Sequence, residues 1–222
     1  MNALLAGIVL LISIVVHEVA HAWQARREGD DTAEKLGRIT LNPIPHLDLF
    51  GSFIVPVSLY AMGAVTGGNP LLFGWAKPVP VNPARYRDYV KGDIRVSLAG
   101  IVSNLGLAVI ATLLTVVAVK IETLGFGAVA LFDFVYTALG YAIFINLLLA
   151  FFNLVPIPPL DGSHVVAHLL PKEWQMQYRL VGQYGIMILM GLMYFVPGAF
   201  SVVLAPVVFL QGLSDWFVRL WI

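Results

Sequence analysis

At 222 residues the chain has the length of one or two ordinary domains, but 59% hydrophobic residues, 12% charged residues and a mean hydropathy of +0.85 lie outside the soluble range and describe an integral membrane protein. The 13 basic and 13 acidic side chains cancel, which excludes nucleic acid or an anionic surface as a partner chosen by net charge. With no cysteine there is no disulfide, no thiolate metal site and no thiol nucleophile, so any metal falls to His, Asp or Glu.

The first predicted element is a helix from about Asn2 to Glu28, long enough to cross a hydrocarbon core of about 30 Å. It has no basic leader and no small-residue cleavage site, so it reads as a retained segment and not a secretory signal. Its second half carries His17-Glu18-Val19-Ala20-His21. On a helix the two histidines stand at i and i+4 on one face, able to close on a single metal ion, and Glu18 lies beside them as a candidate proton acceptor. Three ionisable groups in an apolar helix are costly to insert, which argues against a chance arrangement.

Gly29 to Arg38 is a polar turn. Arg38 to Pro45 alternates and stops on proline, which suits a short edge strand. Leu49 to Thr66 is a second apolar segment, interrupted by Gly51 and Pro56, and is expected to be bent or partly re-entrant. Within the long polar stretch Gly67 to Arg95, Gly74-Trp75-Ala76-Lys77-Pro78-Val79-Pro80-Val81-Asn82-Pro83 has prolines spaced for extended chain. Lys and Arg are concentrated between Arg26 and Arg38 and again between Lys77 and Arg95. The positive-inside rule would put both loops in the cytoplasm, which one full crossing between them forbids, so charge alone leaves the orientation open.

Val96 to Val119 is the third span, with Gly100, Ser103, Asn104 and Gly106 giving it a small, polar side for close helix contact. Ala128 to Val155 is the fourth, halted by Pro156, Pro158 and Pro159 just before Asp161-Gly162. Val181 to Val196 and Phe200 to Ile222 complete the expectation. This is an all-α polytopic membrane protein of about six transmembrane helices, with a small membrane-associated β element and a Pro-broken helix. It reads as a single domain over 1–222, its core about 1–168 and its C-terminal helices about 181–222.

Two histidines are too few for a catalytic zinc site, which takes three protein ligands and keeps one open position. Candidates for the third are Asp161, Asp48, His46, His164 and His168. Asp161 has the strongest context, since broken backbone at membrane depth survives only against protein or a water-filled cavity, and hydrolysis needs water. His164 and His168 form a second i, i+4 pair that could hold or join a metal site; the plainer reading puts them at a helix cap or the aqueous interface. Asn104 and Asn153 either pin one helix to another or donate to a substrate oxyanion.

In these pieces the chain resembles the site-2 protease family of intramembrane zinc metalloproteases, in a short bacterial form. The resemblance rests on His17 through His21, Gly74 through Pro83, Ser97-Leu98-Ala99-Gly100 through Asn104, and Asn153 through Pro159-Leu160-Asp161-Gly162. It implies one zinc ion held by His17, His21 and Asp161, with Glu18 as catalytic carboxylate. It also implies cleavage of a peptide bond in or near a substrate's transmembrane helix, and a site in the cell membrane reached from the cytoplasmic side. His164, Asn104 and Asn153 stand as further substrate or oxyanion candidates. Neither the PDZ nor the nucleotide-sensing domain of some family members is evident. A substrate helix must unwind before it is cut, and Arg38 to Pro45 is the expected edge for pairing with it. Two rivals are weaker: a silent helix-binding protein would have no use for Glu18, and a metal transporter would place more ligands along the central spans.

Overall fold

The computed structural model describes residues 2–48, 51, 54, 58 and 76–221. The described residues are helical or irregular and include no strand. In chain order the helices are α1 (Asn2–Glu28), α2 (Thr32–Lys35), α3 (Tyr89–Thr123), α4 (Val129–Asn153), α5 (Asp161–Leu169), α6 (Lys172–Val181), α7 (Gly185–Phe195) and α8 (Ala199–Arg219), with single 3-10 turns at Ile44–His46, Pro83–Arg85 and Gly182–Tyr184.

Four of these, α1, α3, α4 and α8, are long and apolar enough to cross a membrane. The 35 residues of α3 rise about 52 Å at 1.5 Å each, well beyond the hydrocarbon core, so its charged first turns stand outside it. Asp88 starts that helix, accepting the Lys91 backbone N–H at 3.0 Å. The 11 residues of α7 rise about 16 Å, short of a crossing on their own. The second apolar segment, Leu49 to Thr66, and the Gly74-Trp75 pair lie outside the described residues apart from Gly51, Ile54 and Ser58.

The bundle is built on α3, which packs along both α1 and α4, while α8 closes on α4. Its polarity is distributed for lipid. Leu4, Ile8, Ile12, Val102, Val109, Leu113, Val208 and Phe209 face outward, whereas Ser13, Ser97, Asn104, Asn146, Ala108 and Ala111 are buried. Small side chains at the contact let the helix backbones approach, and buried polar groups bond to one another where water is absent. One core cluster joins Ala108 and Ala111 of α3 to Ile143 and Leu147 of α4 and to Val207 of α8. Ser214 of α8 shares a 2.8 Å hydrogen bond with Thr112.

Arg38 to Pro45 forms no strand: it is irregular chain running into the 3-10 turn at Ile44. It lies against the proline-rich stretch, where Arg38 Nη2 donates to the carbonyls of Lys77 and Pro78 at 3.0 and 3.3 Å, and Lys77 N–H donates to His46 O at 2.9 Å. Pro78 and Pro80 have no N–H to give a ladder, so side chains and irregular bonds replace one.

Candidate active site

His17 and His21 stand one turn apart on α1 with both rings turned toward α3. Their Nε2 atoms are 3.0 Å apart, and Asp161, the first residue of α5, sets its Oδ2 3.1 Å from one and 3.3 Å from the other. Among the described residues this is the one group of three metal-type ligands whose atoms converge. Of the candidates for a third ligand, Asp161 is the one that stands with the two histidines, while His46, Asp48, His164 and His168 are not part of the group.

The partners behind each ring fix the role of its Nδ1. His17 Nδ1 lies 2.5 Å from Asn104 Oδ1 and His21 Nδ1 lies 2.7 Å from Val96 O. Both partners accept, so both Nδ1 atoms donate, and in the neutral rings both Nε2 atoms are left free to ligate at the same spot. With both rings neutral, two lone pairs and a carboxylate oxygen at about 3 Å would repel one another, and Asp161 Oδ2 is buried without a hydrogen-bond partner. A shared cation relieves all three. Ligands 2.0–2.1 Å from a tetrahedral zinc stand about 3.3 Å from each other, close to the spacings found.

Gly100 keeps that spot open. A Cβ there would lie 2.5 Å from His17 Cε1 and 2.6 Å from the Nε2 atoms of both histidines, so only glycine leaves the space beside them. Gly162 is helical, and a Cβ there would meet Leu154 O at 2.2 Å, so it lets α5 press against the end of α4. Asp161 is carried to the site by that close approach.

Asn104 is fully buried, and its amide is engaged at both ends, with Oδ1 on His17 and Nδ2 donating to Asn146 Oδ1 at 2.8 Å. Asn146 donates in turn to Ser13 Oγ at 2.9 Å, and Ser13 donates to Val9 O at 2.8 Å. This places Asn104 behind His17, with its Oδ1 accepting from the His17 Nδ1. Asn153 donates to Leu149 O of its own helix at 3.0 Å. Replacing Asn104 by Ala strands His17 Nδ1 and one end of Asn146 in a dry core; zinc affinity, measured by competition with a chromogenic chelator, is expected to fall about 10- to 100-fold.

Glu18 follows His17 directly, and its Oε2 accepts the Val79 backbone N–H at 2.7 Å. The proline-rich stretch therefore lies over the candidate base. Val79 also packs with Ala22 and Ala33 of the first two helices, which fixes that contact.

His164 and His168 converge on the buried Asp93 of α3. His168 Nε2 lies 2.7 Å from Asp93 Oδ2, His164 Nδ1 3.3 Å from both oxygens, and Arg179 of α6 3.6 Å from Oδ2. The pair is a clamp between helices, joining the helix that carries Asp161 to the one that backs His17 and His21. Ser13, Asn146, Asp93 and the Val79 N–H were missed from sequence. The first lies one turn before His17 and the second is an amide in an apolar helix, signals that were present; the others depend on contacts made only in the fold.

The family model of peptidase family M50 matches residues 5–140 and 118–196. The chain is 39% identical over 201 residues to the "Putative zinc metalloprotease YwhC" of Bacillus subtilis, an alignment covering 90% of this chain and 83% of that one. It is 31% identical over 186 residues to the "Putative zinc metalloprotease Rip2" of Mycolicibacterium smegmatis, covering 82% of this chain and 64% of that one, and 29% identical over 185 residues to the Mycobacterium tuberculosis (strain Erdman) protein of that name, covering 77% and 63%. No solved structure matches at a significant level. The match over most of its length, with its metal-type ligands gathered among apolar helices, shows that the chain belongs to peptidase family M50, the site-2 protease family.

Proposed function

We propose that this chain is an intramembrane zinc metalloprotease that hydrolyses a peptide bond in or near a transmembrane helix of a membrane-protein substrate, working in a bacterial cell membrane. The observation that carries the reading is the convergence of His17, His21 and Asp161 on one point among membrane-type helices, with Glu18 next to it in sequence. In this reading the four long helices make the crossings and 181–196 adds a fifth; the stretch Leu49 to Thr66 adds none, because the chain on either side of it meets, Arg38 with Lys77 and Glu28 with Arg87, in place of the six crossings expected.

His17, His21 and Asp161 would hold the ion through Nε2, Nε2 and Oδ2. Bound there, zinc supplies Lewis-acid polarisation of the scissile carbonyl and acidifies water. Glu18 accepts the proton that water gives up as it attacks, then delivers it to the leaving amine. To do so it gives up or shares its bond with the Val79 N–H. Asn104 and Val96 keep both imidazoles in the ligating tautomer through the cycle.

The test is reconstitution of the purified chain in vesicles with a membrane-peptide substrate. A zinc chelator is expected to reduce cleavage to background, and added zinc to restore it. Cleavage insensitive to the chelator would remove the metal from the reaction.

Substrate helices must present an unwound stretch, and in this proposal the chain at Ile39 to Leu41 receives it. Among the described residues, neither Ile39 nor Leu41 makes a backbone hydrogen bond, and Leu41 is exposed. An added strand would use those groups, as in other edge-pairing recognition. Leu41→Pro removes one N–H; at least tenfold slower cleavage with unchanged zinc content is expected, and wild-type turnover would refute the pairing.

A further inference from the structure

A second recess lies at the far end of α1 from the N-terminus, where it meets the start of α3. Gln24, Arg27 and Glu28 form one wall and Arg87, Asp88, Lys91 and Arg95 the other, around about 660 Å³ of open space. The loop that forms part of the second wall is held in place by Arg87 N–H donating to Glu28 O at 2.8 Å. Gly29, at φ +116°, allows that approach, since a Cβ would meet Arg85 O at 2.9 Å.

The charges in this recess do not cancel. Glu28 is buried and already engaged, accepting from Gln24 at 2.7 Å and facing Arg95 at 3.4 Å. Asp88 caps α3 and faces Lys91 at 3.5 Å. Both carboxylates are thus committed, whereas Arg27 and Arg87 meet no carboxylate among the described residues. Arg27 instead lies over the ring of Trp23, 4.5 Å from its centre, and Trp23 is half exposed. An aromatic ring at the end of an apolar helix, beneath a guanidinium, marks the level of lipid headgroups.

We propose that this recess binds the phosphate of an anionic phospholipid headgroup, with Arg27 and Arg87 as its direct donors and Lys91 as a supporting charge. Guanidinium groups offer forked donors that match phosphate oxygens, and the recess opens where two membrane helices end, so the acyl chains can follow the apolar outer faces of α1 and α3. The site is separate from the metal ligands and holds or fails independently of the protease reading.

The experiment uses the full chain, delipidated in detergent and offered dioleoyl phosphatidylglycerol or dioleoyl phosphatidylcholine, with bound lipid counted by native mass spectrometry. Wild type is expected to retain the phosphatidylglycerol at least tenfold better than the phosphatidylcholine. The double variant Arg27→Gln, Arg87→Gln should lose that preference, while Lys120→Gln at the opposite end of α3 keeps it. Neither arginine is part of the core, and equal zinc content and melting temperature check that the variant folds; each single variant, expected to lose part of the preference, provides a second reading. A preference that survives the double substitution overturns the site. So does displacement of the lipid by equimolar inorganic phosphate, which would make it a free-phosphate site, or arginine-dependent binding of a soluble Glu-rich peptide in place of lipid.

Discussion

Replacing Glu18 by Gln is expected to slow cleavage by a factor on the order of 10² to 10⁴ while leaving zinc content unchanged. Gln keeps the size of Glu and still offers an oxygen to the Val79 N–H, so the overlying stretch stays in place. What it lacks is the capacity to accept a proton near neutral pH. Single-turnover cleavage in vesicles, with metal content measured on the same preparation, checks both halves. Wild-type turnover in the variant would assign the base elsewhere; loss of zinc would give Glu18 a structural part in holding the site.

Gly100→Ala is expected to empty the metal site, taking bound zinc from about one ion per chain toward none and cleavage with it. The added methyl would stand 2.6 Å from both Nε2 atoms, nearer than atoms can pack without displacing the rings. Those rings are tied behind by Asn104 and Val96, so they cannot move away without breaking hydrogen bonds in a dry core. Gly106 lies on the same helix with nothing within 4 Å of its would-be Cβ, so Gly106→Ala should keep both zinc and activity. Elemental analysis of the two variants side by side separates crowding of the ligands from the general effect of alanine in α3. Equal zinc in both would mean that the ligands adjust.

The bounds of α1 were legible because a long apolar run ending in Arg26 and Arg27 admits few alternatives, and the structure places it at Asn2–Glu28. The metal-type ligands were legible for a local reason in two cases, the i, i+4 spacing of His17 and His21, and for a contextual one in the third, a carboxylate after prolines that stop a helix. Gly100 was read only as a small residue for helix contact. Its bearing on the site depends on how α1 and α3 face each other, which no local pattern states. Asn104 was open between pinning and catalysis for the same reason, and its partners show it behind His17. The strand expected at Arg38 to Pro45 rested on alternation and a proline stop, both local signals. Its neighbour in space is a proline-rich stretch that cannot return a ladder, and one turn of 3-10 helix ends it.

The clamp on Asp93 gives the site two halves of different mechanical character. His17 and His21 belong to a 27-residue helix embedded in the bundle, whereas Asp161 rides on a nine-residue helix fastened to α3 by His168, with His164 and Arg179 beside it. One half is an anvil and the other a latch. The placing of Asp161 beside the two histidines therefore depends on Asp93, a carboxylate on the first turns of α3 that touches none of the three converging side chains.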